Sequence, residues 1–215
     1  MTSRLSVSFR LFLIATCLVF ALSGCQKPLE RKLMMAVDQN ATVERNGTLY
    51  HLDRGEVVNG YVKDESAGQE HRILYQVRDG IRSGEFLSWH ANGRKHLQGA
   101  YLDGLMHGAW TSWDANGTKL WENHRQEGEL HGKVTWWYDN GFKKFECTYD
   151  LGKKEGEEIV WLRNGLIGQR RNYRKGQKDG KWSTWDHKGR LIEEKIYRDD
   201  KLIESKKLPD FFLQQ

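Results

Sequence analysis

The sequence predicts an all-β protein, a single-layer antiparallel meander of tandem 24-residue β-hairpins that forms an elongated, twisted sheet. Three observations carry this reading. Trp89, Trp113, Trp137, Trp161 and Trp185 recur every 24 residues. Three glycine columns keep the same period: Gly80, Gly104, Gly128, Gly152 and Gly176; Gly84, Gly108, Gly132, Gly156 and Gly180; Gly93, Gly117, Gly141, Gly165 and Gly189. An Asn-Gly pair, the strongest short hairpin signal, stands at Asn92-Gly93, Asn116-Gly117, Asn140-Gly141 and Asn164-Gly165. A fixed period of this length marks a repeat array, in which each unit buries surface only against its neighbours.

Composition agrees with an ordered array. Mean hydropathy is −0.75, yet aromatic residues make up 12% of the chain. Disordered chains are poor in aromatics, so the charge coats a folded surface. The 22 glycines are periodic and there are only two prolines, which suits turns between strands. Acidic and basic residues are interleaved, and no long basic block stands out to form a nucleic-acid groove.

Residues 1–24 read as a signal segment outside the fold. Arg4 and Arg10 form a basic start, and Leu11 to Leu22 is an apolar stretch short for a membrane span. Without the two arginines the formal charge falls from +5 to +3. The stretch Leu22-Ser23-Gly24-Cys25 resembles a bacterial lipobox. That resemblance implies cleavage ahead of Cys25 and acylation of its sulfur and new amine. Gln26 in the second mature position then implies outer-membrane sorting, facing the periplasm. Cys147 is left as the one free thiol of the mature chain, read as a small half-buried hydrophobe. Residues 25–45 read as the lipidated cysteine with a tether and N-terminal cap. Leu29, Leu33, Met34 and Val37 in it have the spacing of a short amphipathic helix.

The repeat array is expected over 46–200. It opens with degenerate units, and Ile73, Tyr75 and Val77 alternate as a half-buried strand should. The regular units are 78–101, 102–125, 126–149, 150–173 and 174–197. Each reads as a hairpin turning at Asn-Gly, a type I′ signal, except that the fifth has Lys188-Gly189 there, and a Gly-x-x-x-Gly link such as Gly104 to Gly108 leads to the next. A two-residue loop sets Trp89 opposite His96, whereas a three-residue loop with a bulge sets it opposite Lys95. One residue of slip exchanges a strand's faces. Residues 201–215, with Phe211, Phe212 and Leu213, read as a C-terminal cap over the open sheet edge.

The segment His107-Gly108-Ala109-Trp110-Thr111-Ser112-Trp113-Asp114-Ala115-Asn116-Gly117 resembles a MORN repeat, and more closely the bacterial variant of that repeat. Members are often described as antitoxins of a YwqK-like family. The resemblance extends over about 46–200 and implies a non-catalytic module that binds another protein, a toxin being the implied partner.

No residue pattern suggests an enzyme or a cofactor. The histidines form no metal-ligand spacing, and His107 and His131 occupy a turn-polar column. Glu122, Glu146 and Glu194 share a column with Gln98 and Arg170, which reads as a surface ladder and not as a catalytic pair. The five periodic tryptophans read as the structural ladder. Trp110, Trp121, Trp136 and Trp182 lie outside it and are the candidate binding surface, since exposed aromatic stripes mark interaction sites. Trp136 and Trp137 are adjacent and must point to opposite faces of a regular strand. The expected function is therefore a lipid-anchored envelope protein that binds another protein, with contact to glycan or peptidoglycan as the alternative.

Overall fold

A computed structural model describes residues 28–65 and 71–208. Cys25 and the signal segment lie outside the described residues, as do Phe211, Phe212 and Leu213. The chain divides into two units, Met1–Ala36 and Val37–Gln215. The described part of the first is helix α1 (Pro28–Met35), which starts on proline, buries no residue and leaves Met34 and Met35 exposed. Among the described residues no helix is long and apolar enough to cross a membrane.

The second unit is one large open sheet with a small hairpin beside it. Its short first strand β1 (Val37–Asp38) pairs parallel with β4 (Gly60–Asp64). Between them, β2 (Thr42–Arg45) and β3 (Thr48–His51) form the separate hairpin. From β5 (His71–Arg78) and β6 (Ile81–His90) the meander runs through β7 (Lys95–Leu102), β8 (Leu105–Trp113) and β9 (Lys119–Gln126). The third and fourth units follow as β10 (Glu129–Leu130), β11 (Gly132–Trp137), β12 (Lys143–Asp150), β13 (Lys153–Trp161) and β14 (Ile167–Arg174). The array closes with β15 (Gln177–Lys178), β16 (Gly180–Trp185), β17 (Leu191–Arg198) and β18 (Lys201–Lys207). All pairings after β4 are antiparallel.

Two boundaries differ from the sequence reading. Hairpin structure begins at Thr42, inside the expected tether, because Asn46-Gly47 is a turn and needs a strand on each side. Lys201–Lys207 is the edge strand β18 and not a cap, since Asp199 and Asp200 both take the left-handed conformation that a glycine would have supplied.

The turn chemistry selects one of the two loops that the spacing left open. Type I′ geometry needs φ > 0 at both central residues. Asn92, Asn116, Asn140 and Asn164 do not have it; only the glycines after them do. Here Gly93 N–H donates to His90 O, His90 N–H donates to Arg94 O, and Trp89 pairs with Lys95, the three-residue loop with a bulge. The asparagine serves through its side chain instead. Its amide donates to the next unit's turn, Asn92 to Ala115 O at 2.7 Å, Asn140 to Arg163 O at 2.9 Å and Asn164 to His187 O at 2.9 Å.

The two-residue I′ turns lie at the opposite ends of the strands, at Asp79-Gly80, Asp103-Gly104, Glu127-Gly128, Leu151-Gly152 and Lys175-Gly176, where both residues have positive φ. Flanking residues pair directly, as Leu102 with Leu105 does. Each turn glycine donates its N–H to the preceding unit, Gly104 to Arg82 O and Gly152 to Leu130 O, both at 2.8 Å. Both rows of turns thus stitch neighbouring units together. Leu151 holds φ 41° with a branched side chain, where asparagine is far better tolerated. Leu151→Asn is expected to stabilise the chain by about 1 kcal/mol, read from urea denaturation.

In two units an aspartate opens the bulged turn. Asp186 accepts from the Lys188 N–H at 2.8 Å and the Arg190 N–H at 2.9 Å. These bonds, the one from Arg190 first, hold its pKa down to about 2. A depressed carboxylate stabilises above its unfolded value and loses that effect as pH falls through the folded one. The Lys188 and Arg190 amides should therefore stay protected from hydrogen exchange at pH 4 and lose protection near pH 2. Asp186→Asn should lose much of it already at pH 4.

Candidate functional site: an aromatic row on one sheet face

Residues opposite each other on neighbouring strands share a face, so the register assigns every side chain. One continuous row is Ser112, Trp121, Trp136, Phe145, Val160, Gln169, Thr184 and Glu193. Trp110 and Trp182 fall on this same face, two residues along their strands from Ser112 and Thr184. The four non-periodic tryptophans thus share one face, here the aromatic face. The periodic five lie on the other, beside the row Leu87, Gln98, Thr111, Glu122, Thr135, Glu146, Ile159, Arg170, Ser183 and Glu194.

The ladder face is covered by long lysine stems. Trp113, Trp137 and Trp161 are lidded by lysines from the preceding unit. Lys95 lies 5.8 Å from the Trp113 ring centre, Lys119 4.9 Å from Trp137 and Lys143 5.5 Å from Trp161. The same ammonium groups reach the acidic column, Lys119 to Glu122 at 2.7 Å and Lys143 to Glu146 at 2.6 Å. The aliphatic stem shields the indole while the charge stays in water. Ile167 breaks the series below Trp185.

The aromatic face changes character along the array. At its start the β2–β3 hairpin covers it: Leu49 packs with Val58, Val62, Tyr75 and Val77, with Ile73 and Phe86 against the cluster. Next comes Trp110, only 1% exposed. Its ring lies over Gly99, where a Cβ would sit 2.2 Å from it. Phe86 and Tyr101 flank it at 5.5 and 5.2 Å, and its indole N–H donates to Ala100 O at 3.1 Å. Trp110 is therefore core, which corrects its assignment to a binding surface. Glycine on the neighbouring strand makes the space that buries it.

Beyond Trp110 the face opens. Trp136 is 46% exposed, its ring 5.2 Å from that of Phe145. Trp121 pairs with Trp136 from the other side, and both Trp121 and Phe145 are half-buried. These three adjoin in one strip, continued by Val160. Trp182 stands apart, clasped by Tyr173 at 5.4 Å and Tyr197 at 4.9 Å, and its N–H is taken by Asn172 O. So the structure brings together Trp121 and Trp136, adds Phe145, and leaves Trp182 on the same face two strands past Val160.

The sequence reading missed an ion cluster next to the strip. Glu158 occupies the column of Phe86, Trp110, Val134 and Trp182 and is 1% exposed. Its carboxylate is held by Lys154 and by Arg171, the latter at 2.9 Å. Burial works against the Lys154 charge, but the hydrogen bond and field of Glu158 raise its pKa. A raised lysine gives stability that is intact below its ordinary value and lost as pH climbs through the folded one. A carboxylate in an aromatic column was the available signal. Beside it, Cys147 is 1% exposed, and burial pushes its thiol up to about 11. Aromatic disulfide reagents at pH 8 should leave Cys147 unmodified in the folded chain and modify it within minutes in urea.

Comparison with known families then places one unit. Residues 130–150, which span β11 and β12, match the MORN repeat variant. Over these residues the chain is similar to a MORN repeat. The 24-residue period and the shared turn geometry extend its pattern to the neighbouring units. MORN repeats are non-catalytic modules for interaction with proteins or membranes. Among curated proteins none matches the chain.

Proposed function

We propose that the chain is a lipid-anchored protein of the bacterial envelope, held through Cys25 at the outer membrane and facing the periplasm. Its MORN-type sheet docks another protein through Trp121, Trp136 and Phe145. The single observation that supports docking is this strip: three contiguous aromatic side chains on one sheet face, with Trp136 nearly half exposed. Large aromatics at the centre of a contact supply most of its affinity. The YwqK-like resemblance supports an immunity-type role, with an envelope-acting toxin as the partner.

Two experiments bear on this reading. Radiolabelled palmitate should enter the native chain and not Cys25→Ala; label retained in that variant refutes the anchor. Crosslinking in cells with mass spectrometry should identify the partner, and Trp136→Ala should weaken its binding about tenfold or more. Binding unchanged by Trp136→Ala refutes the strip, and recovery with purified peptidoglycan in place of protein moves the reading to a glycan.

A further inference from the structure

We propose that the fourth and fifth units carry, beside the strip, a depression that receives an acidic side chain of the docked protein. This rests on the docking reading above and names the chemistry of its partner. The depression has a volume of about 150 Å³, and its lining includes Gln169, Arg171, Trp182, Glu193, Lys195 and Tyr197. Gln169 pairs with Val160 and Thr184 with Gln169, so the hollow continues the row of the strip on the same face.

The charges of this region do not balance. Lys154, Arg171, Lys178 and Lys195 share the face with two carboxylates, Glu158 and Glu193. Asp200 also lies here, accepting from the Lys178 N–H at 2.8 Å, so the excess is one positive charge. Lys154 and Arg171 divide Glu158 between them, and Lys195 binds Glu193 at 2.7 Å. The Lys178 ammonium rests between the rings of Trp182 and Tyr197, at 4.9 and 5.0 Å, with no ion pair among the described residues. Arg171 donates to Glu158 and Gln169, which occupies two of the five N–H groups of a guanidinium. Its ring contact with Trp182, at 5.1 Å, fixes the guanidinium plane at the wall of the hollow.

A carboxylate fits this setting better than a phosphate. The excess charge suits a single negative charge, and Glu193 in the wall would repel a dianion. The aromatic walls lower the local dielectric, which strengthens a charge-assisted bond relative to the same bond in water. The partner's contact surface is therefore apolar at its centre with aspartate or glutamate at one side.

The test uses the full chain in detergent and fluorescein-labelled hexaglutamate, followed by anisotropy. Hexaglutamate should bind in low salt, hexalysine should not, and added salt should weaken the complex. Lys178→Gln with Lys195→Gln should weaken it about tenfold, two contacts of roughly 0.7 kcal/mol each. Lys133→Gln with Lys181→Gln removes the same charge from the ladder face and should change binding less than twofold. Equal losses in the two double variants, or no binding of hexaglutamate, overturn the proposal. So does binding to phosphatidylglycerol vesicles without binding to hexaglutamate. Hexaglutamate does not need the strip, so its failure leaves docking at Trp136 standing. A partner insensitive to Trp136→Ala overturns docking even where hexaglutamate binds.

Discussion

Trp110→Ala should destabilise the array by about 3–5 kcal/mol, the largest effect of any single substitution considered. The ring is 1% exposed and is enclosed by Gly99, Phe86 and Tyr101. Its removal leaves a cavity that Gly99 cannot fill, and the surrounding strands are tied at both rows of turns and cannot collapse into it. It also forfeits the bond from the indole to Ala100 O. In an array stabilised between neighbours, a break here uncouples the capped N-terminal units from the rest. Urea denaturation should show a lower midpoint with loss of a single transition. Trp113→Ala should cost far less, because Trp113 is half-buried under the Lys95 stem. Equal losses from the two substitutions would show that the periodic and non-periodic tryptophans do not divide as described.

Arg171→Leu should destabilise the chain by about 2–3 kcal/mol, and Glu158→Leu by less than about 1 kcal/mol. The order runs against burial, since Glu158 is 1% exposed and Arg171 28%. The reason lies in what each substitution leaves behind. Without Arg171, a buried carboxylate keeps only Lys154. Without Glu158, Lys154 and Arg171, both about a third exposed, turn towards water while leucine joins the aromatic column. Removing one partner of a buried pair is costly, whereas an apolar replacement at the buried position is often near neutral. Thermal melts of the two variants decide the order. A larger loss for Glu158→Leu would mean that the cluster stabilises the sheet outright.

Much of this architecture was legible in the residues, and the failures have physical causes. Column spacing located every unit and the position of both turn rows. It could not assign turn types. Asn92-Gly93 has the composition of a type I′ turn, but the loop carries one more residue and the asparagine is used for its amide. The true I′ sites include Glu127, Leu151 and Lys175, residues with no turn preference that are forced into positive φ by the glycine after them and by the repeat. Trp110 looked exposed because its column is variable. Gly99, the sole glycine in the column Gly99, Asn123, Cys147, Arg171 and Lys195, marked the space beneath it. The opposition of Trp136 and Trp137 followed from strand alternation alone, and the register places them on opposite faces.

That opposition provides the most direct measurement of the central claim, that the non-periodic aromatic face is the docking face and the periodic ladder is structural. A photoreactive phenylalanine derivative placed in living cells at position 136, and separately at 137, samples the two faces from adjacent residues of one strand. Position 136 should crosslink a partner in high yield and position 137 should give little beyond background. Equal crosslinking from both positions, or capture from 137 alone, would contradict the account.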